Sequence, residues 1–295
     1  MPSGEENLSL AVLMTCHNRV TNTLDCLAAL KNQKPFGASL DLFLVDDGSE
    51  DGTAQAVAGI YHDATIIQGD GSLYWCGGMR VAFAQAMQKG YDFYLWLNDD
   101  TYLDEDALLR IFKTYADASS QLGDSLIIVG STRDRESGTM TYGGWRQRAG
   151  RLGSISWEKL PPQMKHWIPC DTMNGNCVFI PRAVVKKNGN LDVKFTQSMG
   201  DLDYGLRARE AGCQVVIAPG YYGVCEENDG AGLWTDYRLP LFVRWKKLLG
   251  PKGLPVKEWL FFSRRHKGRF WLLVWLSPYL MFWLNALLNL LGIKK

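Results

Sequence analysis

Leu8 to Thr15 is a nearly continuous apolar run that stops at Cys16-His17-Asn18-Arg19. A short run apolar at every position, rather than at alternate ones, predicts a strand buried on both faces. A helical stretch follows through Leu30. The pattern then repeats. Leu40 to Val45 ends in Asp46-Asp47-Gly48-Ser49 with a helix after Asp51, Thr65 to Gln68 is a third run, and Asp92 to Leu97 ends in Asn98-Asp99-Asp100-Thr101. Strands alternating with helices predict βαβ units and a mainly parallel sheet, whose ligands sit beyond the carboxyl ends of the strands. His17, Asp46, Asp47, Asp99 and Asp100 are thereby predicted to converge on one rim.

A fifth apolar run spans Ser125 to Gly130, after which the texture changes. Gly138 to Gly153 is glycine-rich and carries Tyr142, Trp145 and Arg146, which predicts a hairpin or loop. Asn174 to Pro181 reads as a strand, Gly200 to Ala211 as a helix closed by Gly212, and Cys213 to Ala218 as a further strand. From Phe270 to Leu291 the chain is almost wholly apolar, interrupted by Ser277, Pro278, Asn285 and Asn289. As one helix that segment would reach about 33 Å, enough to cross a bilayer core. Pro278 near its middle, tryptophans along its length and basic residues on both flanks favour a helical hairpin lying in the interface, with Arg264, Arg265, Lys267 and Arg269 on the headgroups. A spanning helix and an oligomer contact are the other readings of this tail.

Composition changes this picture little until charge is divided along the chain. The 295 residues are 46% hydrophobic and 21% charged, which suits one large domain plus an appendage, divided here as 1–237 and 238–295. The net charge is +1 overall, yet from Arg238 on twelve Lys and Arg face one acid, Glu258, so the tail carries +11 and the remainder −10. The tail therefore suits an anionic lipid surface, and the acidic front argues against a nucleic-acid enzyme. Seven cysteines with no Cys-x-x-Cys pair read as buried reduced thiols of a cytosolic protein. Residues 1–7 are polar and carry no signal-peptide pattern, which places the front of the protein in the cytosol.

Acidic clusters at a sheet rim suit transfer of a sugar from a nucleoside diphosphate. That reaction needs a nucleoside pocket, a counter-charge for the departing diphosphate and a base for the acceptor hydroxyl. Asp47 is placed to accept from a pyrimidine N–H or a ribose hydroxyl, with Thr15 across the same rim; the same residues could instead form a turn ahead of a cap at Asp51. Asp99 and Asp100 follow the apolar strand Tyr94-Leu95-Trp96-Leu97 and repel each other unless a cation lies between them. Mg²⁺ or Mn²⁺ takes few carboxylates and leaves room for a diphosphate, which favours a metal over helix capping. Gly200-Asp201-Leu202-Asp203 opens a helix, and Asp201 there is fixed in direction and accessible, as a base must be. Asp203 could equally complement the helix dipole. Trp145, Trp167, Asn174 and Asn176 offer a stacking face and amides for an acceptor sugar, although core packing explains the tryptophans as well.

Thr15-Cys16-His17-Asn18-Arg19, Val45-Asp46-Asp47-Gly48-Ser49-Glu50-Asp51-Gly52-Thr53, Asn98-Asp99-Asp100 and Gly200-Asp201-Leu202-Asp203-Tyr204-Gly205-Leu206-Arg207, in this order, resemble glycosyltransferase family 2 over roughly residues 8–225. The resemblance implies a GT-A fold, a Rossmann-like sheet flanked by helices, and an inverting mechanism. It implies that Thr15, Asn18, Arg19, Asp47, Arg80 and Asp99 contact the donor, that Asp100 holds a divalent metal, and that Asp201 is the base. Trp145, Asn174 and Asp203 are the acceptor candidates. Many relatives carry a metal-binding His where this chain has Gly223-Val224-Cys225-Glu226, so the third metal ligand stays open between Cys225, Glu226 and phosphate oxygens.

The expected enzyme uses a dTDP- or UDP-sugar and Mn²⁺ or Mg²⁺ at the cytoplasmic face of the inner or plasma membrane. The basic tail adds the expectation of a lipid-linked saccharide acceptor in surface polysaccharide, O-antigen or capsule synthesis. Two rivals are weighed against it. A sugar-phosphate nucleotidyltransferase lacks its glycine-rich, basic phosphate loop after the first strand, and a carbohydrate-binding scaffold would not need the carboxylates.

Overall fold

The structure is a computed structural model that describes residues 8–149, 155–227 and 230–291. Its chain falls into two units, one of Met1–Arg146, Lys159–Thr196 and Gly200–Glu227, the other of Gln147–Glu158, Gln197–Met199 and Asn228–Lys295. The second unit thus begins its tail at Asn228, ahead of residue 238 in the sequence-based division, and takes in two further segments.

In the first unit β1 (Leu8–Cys16), β2 (Ala38–Asp46), β3 (Thr65–Gln68) and β4 (Phe93–Leu97) alternate with α1 (Val20–Lys31), α2 (Thr53–Ile60) and α3 (Tyr74–Lys89). The four strands lie parallel in the order β3-β2-β1-β4, with Leu10 beside Leu40 and Phe93. Strand neighbours on both edges and helices on the faces explain why Leu10 to Met14 are fully buried. Each large apolar side chain removed from water in this way contributes about 1.5–3 kcal/mol before chain entropy is counted.

The next elements are β5 (Tyr102–Leu103), α4 (Ala107–Leu122), β6 (Leu126–Arg133), β7 (Gly144–Ala149), β8 (Ile155–Leu160), β9 (Ile168–Pro169), β10 (Thr172–Met173) and β11 (Cys177–Pro181). α5 (Arg182–Asn188), α6 (Gly200–Glu210) and β12 (Gln214–Val224) complete the domain, and the sheet continues as β4-β11-β6-β12-β5 with β9 against β12. β11 runs antiparallel to both neighbours, pairing Cys177 with Leu97. An antiparallel strand enters where its parallel neighbours end, so Asn174-Gly175-Asn176 arrive on the rim that carries Asn98. β6 and β12 are parallel to each other, which brings Cys225 to that rim as well. The expected hairpin is β7 and β8, which with β10 form a small separate sheet; part of the expected span, 150–154, lies outside the described residues.

In the second unit α7 (Leu241–Leu248), α8 (Val256–His266) and α9 (Trp271–Leu290) follow, the last two joined by a single 3-10 turn at Gly268–Phe270. α9 runs back along α8: the Trp259 indole donates to the Trp275 carbonyl at 3.2 Å and the Tyr279 hydroxyl to the Leu254 carbonyl at 2.8 Å. Trp245 of α7 packs on Phe282 and Trp283. The expectation that the apolar segment itself folds back near Pro278 is corrected: α9 runs unbroken through Pro278, and the reversal of the chain lies before it, between α8 and α9. Leu272, Leu273, Leu280, Met281, Leu284 and Leu287 stay exposed, and Gly268–Asn289 is long and apolar enough to cross a membrane by length and composition. A second expectation is corrected. Lys267 does not reach outward beside Arg264 and Arg269; it is buried, its Nζ 4.5 Å from the centre of the Trp157 ring.

Candidate active site

The rim is built from backbone turns that acidic side chains close. Asp46 accepts from the Ser49 N–H at 3.0 Å, and Asp51 accepts from the N–H groups of Val20 and Thr53, tying together the starts of α1 and α2. Asn18, at φ 50°, receives the Glu50 N–H on its side-chain oxygen and sends its own N–H to Ser49 Oγ. His17 Nδ1 lies 2.6 Å from the Asp47 carbonyl, which can only accept, so this nitrogen carries the proton. His17 and His166 are otherwise exposed.

Asp47 is buried, and both its oxygens are turned to one loop. Oδ1 accepts from the N–H groups of Gly71 at 2.9 Å and Leu73 at 3.2 Å, and Oδ2 from Tyr74 at 2.8 Å. Asp47 therefore shapes the loop that opens α3. Thr15 lies beneath that helix, where Gly78 permits the approach: a Cβ there would stand 2.1 Å from Thr15 Oγ1. Arg80, on the same helix, donates to the carbonyls of Asp192 and Phe195. It thus braces the segment that leads toward α6.

The two adjacent acids after β4 do have a cation between them, and it belongs to the chain. Arg19 places Nη1 2.9 Å from Asp99 Oδ1 and Nη2 2.9 Å from Asp100 Oδ2. The inference that their proximity calls for a metal is corrected to that extent, because a guanidinium already offsets the repulsion. Asp99 is nevertheless strained: burial pushes its carboxyl up to about 7 despite Arg19, and its second oxygen is buried without a partner. Asp100 is more open and accepts a hydrogen bond from the Cys225 thiol at 3.6 Å.

That thiol is pushed up to about 12, by burial first and Asp100 second, so with no metal bound it is a neutral donor. Among the described residues no three His, Cys, Asp or Glu stand together as a ready metal cage. The donor set fits a hard cation that brings its own oxygens. Asp100 would supply one carboxylate to such a cation, and a diphosphate and water would supply the rest.

Asp201 opens α6 and keeps partial exposure. Its Oδ2 accepts from the Gly175 N–H at 3.0 Å and its Oδ1 from the Leu202 N–H at 2.8 Å, while burial raises its pKa above the ordinary carboxylate value. Gly175 is flanked by site groups. Asn174 receives the Trp145 indole N–H at 2.8 Å, and Asn176 gives its carbonyl to the Asn98 N–H and its amide to Cys225. Trp145 is partly exposed there. Two acceptor expectations fail. Asp203 is fully buried in an ion pair with Arg207 at 2.7 Å, out of reach of any ligand, and Trp167 sends its indole N–H to Asp117 on α4.

Sequence reasoning missed Trp75 and gave Asn98, though part of a motif, no role of its own. The Trp75 indole N–H donates to Asn98 Oδ1 at 2.7 Å, and its ring covers Gly175. The adjacent Gly77-Gly78 pair was the available signal of a close helix approach.

A family model described as glycosyl transferase family 2 matches residues 11–184. An N-acetylglucosaminyltransferase of Mesorhizobium japonicum (strain LMG 29417 / CECT 9101 / MAFF 303099) is 31% identical over 117 residues, 37% of this chain and 26% of that protein. Two crystal structures share the fold. GalNAc-T7 with UDP, GalNAc and Mn²⁺ aligns at a TM-score of 0.54 and 12% identity, over 80% of this chain and 50% of that one. S. aureus TarS aligns at 0.52 and 14%, over 87% and 42%. The chain thus spans half or less of the length of each of these relatives.

Proposed function

The chain belongs to glycosyl transferase family 2 and is a glycosyltransferase, and from that premise we propose that it moves a sugar from a nucleoside-diphosphate donor to a saccharide acceptor with inversion. The observation that carries this reading is the single rim on which Asp47 and Asp201 are joined through Tyr74, Trp75 and Gly175, and Asp100 through Cys225, Asn176 and Asn98.

In the proposed reaction the acceptor oxygen forms its bond to the anomeric carbon as the bond from that carbon to the diphosphate oxygen breaks. The diphosphate leaves with the electron pair, and Asp201 takes the acceptor proton. The raised pKa of Asp201 suits it to that task, because a stronger base holds the proton better at the working pH. Gly175 and Leu202 N–H groups fix its orientation. Arg19 holds Asp99 and Asp100 in place, and the Asp47 loop forms the floor of the donor pocket. A divalent cation held by Asp100 would neutralise the departing diphosphate. The Mn²⁺ and UDP of the GalNAc-T7 structure support a cation and a nucleotide donor here.

The donor is a UDP- or dTDP-sugar. The acceptor is lipid-linked, as in surface polysaccharide, O-antigen or capsule synthesis, and the enzyme works on the cytoplasmic membrane face. The +11 tail and the exposed leucines of α9 support this part of the reading. The domain boundary that goes with it sets residues 1–237 apart as the catalytic part and 238–295 as the membrane-binding part. A thermal-shift screen of the full chain in neutral detergent, against UDP- and dTDP-sugars with and without Mn²⁺, tests it. A stabilising donor that then releases nucleoside diphosphate is the expected result, and indifference to every nucleotide would refute the donor site.

A further inference from the structure

Five successive residues at the start of α3 touch both ends of the rim. Leu73 and Tyr74 give their N–H groups to Asp47, and Tyr74 is held at φ 53°, a left-handed conformation that L residues rarely adopt. Trp75 comes next. Its indole N–H donates to Asn98 Oδ1 at 2.7 Å, and its ring lies so close over Gly175 that a Cβ there would stand 2.2 Å from Cζ2. The N–H of that same Gly175 is bonded to Asp201 Oδ2 at 3.0 Å. Cys76 and Gly77 then donate to the Thr196 carbonyl at 3.0 and 3.2 Å, and a Cβ on Gly200 would lie 2.2 Å from Cys76 Sγ.

We infer that Trp75 is a positioning residue that couples the loop held by Asp47 to the backbone that orients Asp201, so that seating a nucleoside diphosphate at one is felt at the other. This deepens the reading above and rests on it. The physical reason is the absence of slack. Packed interiors transmit displacement because they have no room to absorb it, and Gly175 meets the Trp75 ring with no side chain between them. A shift of the loop moves the indole, the indole moves Gly175, and Gly175 carries the N–H that sets one oxygen of Asp201. Trp75 also has an alternative load path through Asn98, whose backbone N–H bonds to the Asn176 carbonyl. Both paths end on the same three-residue segment.

Hydrogen exchange read by mass spectrometry on the full chain tests the coupling, with UDP and dTDP plus Mn²⁺ as probes. In the native protein, nucleotide should slow exchange both in the 69–76 segment and in the 172–178 segment, by at least about threefold. In Trp75→Leu, which removes the ring contact and the indole N–H together, 69–76 should still be protected and 172–178 should not. Trp75→Phe, which lacks the N–H and the outer ring atoms that meet Gly175, gives the same readout with less disturbance should the leucine variant fail to fold. Equal protection of 172–178 in native and variant proteins, or a native response confined to 69–76, would overturn this inference alone. Silence of both segments toward both nucleotides would overturn the donor-site reading and this inference with it.

Discussion

Arg19 Nη2 lies 2.9 Å from Asp100 Oδ2, so the carboxylate proposed to hold a divalent cation is already held by a guanidinium. A metal at Asp100 would compete with Arg19 for that carboxylate. Arg19→Met should therefore tighten Mn²⁺ binding measured in the presence of UDP, while kcat/KM falls by about 10²-fold as Asp99 and Asp100 lose their fixed geometry. Titration of free Mn²⁺ by electron paramagnetic resonance separates the two effects. Weaker Mn²⁺ binding in the variant would mean that Arg19 supports the cation instead of competing with it.

Asp201 makes opposite predictions for activity and stability. Its carboxyl is raised by burial above the usual value of 3.8, so the folded state holds a proton more tightly than the unfolded one. The group therefore destabilises the fold above its folded pKa, and this penalty fades as pH falls toward 3.8. Asp201→Asn should leave Tm unchanged or raised at pH 7.5, keep UDP affinity within about twofold, and lower kcat by about 10²–10⁴-fold. Full turnover in the variant would remove Asp201 from the role of base.

How far the sequence led is clearest at β4 and its sequel. Five continuous apolar residues, Phe93–Leu97, announced a buried strand, and the polar residues after it announced the rim. What remained hidden was non-local pairing. Nothing in the spacing from Arg19 to Asp99 tells that the guanidinium spans both acids, or that Asp47 turns its oxygens to residues 71–74. α3 was illegible for a related reason: glycines at 77 and 78 weaken its helical pattern, yet they are what lets it press against Thr15. The place of Asp201 at the start of α6 was legible because a helix start fixes a side chain locally, whereas the depth of Asp203 depends on Arg207 and the chain around Asn188.

That depth gives Asp203 a stability role. Removing one partner of a buried ion pair leaves the other uncompensated and costs about 3–5 kcal/mol. Asp203→Asn should lose stability toward the lower end of that range, since Arg207 keeps its bonds to Asn188 and Asn190, and should leave the acceptor KM unchanged. A raised acceptor KM with an unchanged denaturation midpoint would reverse the assignment.

The tail should behave as a membrane anchor of the interfacial kind. Among its exposed residues are Leu272, Leu273, Leu280, Met281, Leu284 and Leu287 on α9, spaced so that they form one stripe, with Arg264 and Arg269 near its start. Vesicles containing phosphatidylglycerol should pellet the full chain more strongly than phosphatidylcholine vesicles, with the difference falling at high salt. A chain ending at Tyr237 should stay in the supernatant with both. Pelleting of that truncation would place the membrane contact elsewhere.

Lys267 supplies the sharpest pH test in the tail. Burial lowers its pKa from 10.5 to about 8, and the rings of Trp157 and Phe262 lie 4.5 and 5.7 Å from its ammonium. Between about 8 and 10.5 the unfolded chain keeps a proton that the folded one has released, so stability rises with pH through that window. Below it the full penalty of a buried charge remains. Lys267→Met keeps the stem and removes the charge, so its Tm should exceed the native value at pH 7 and the gap should narrow toward pH 10. If the methionine variant melts lower at pH 7, the aromatic rings outweigh the lost hydration, and Lys267 is a stabilising cation after all.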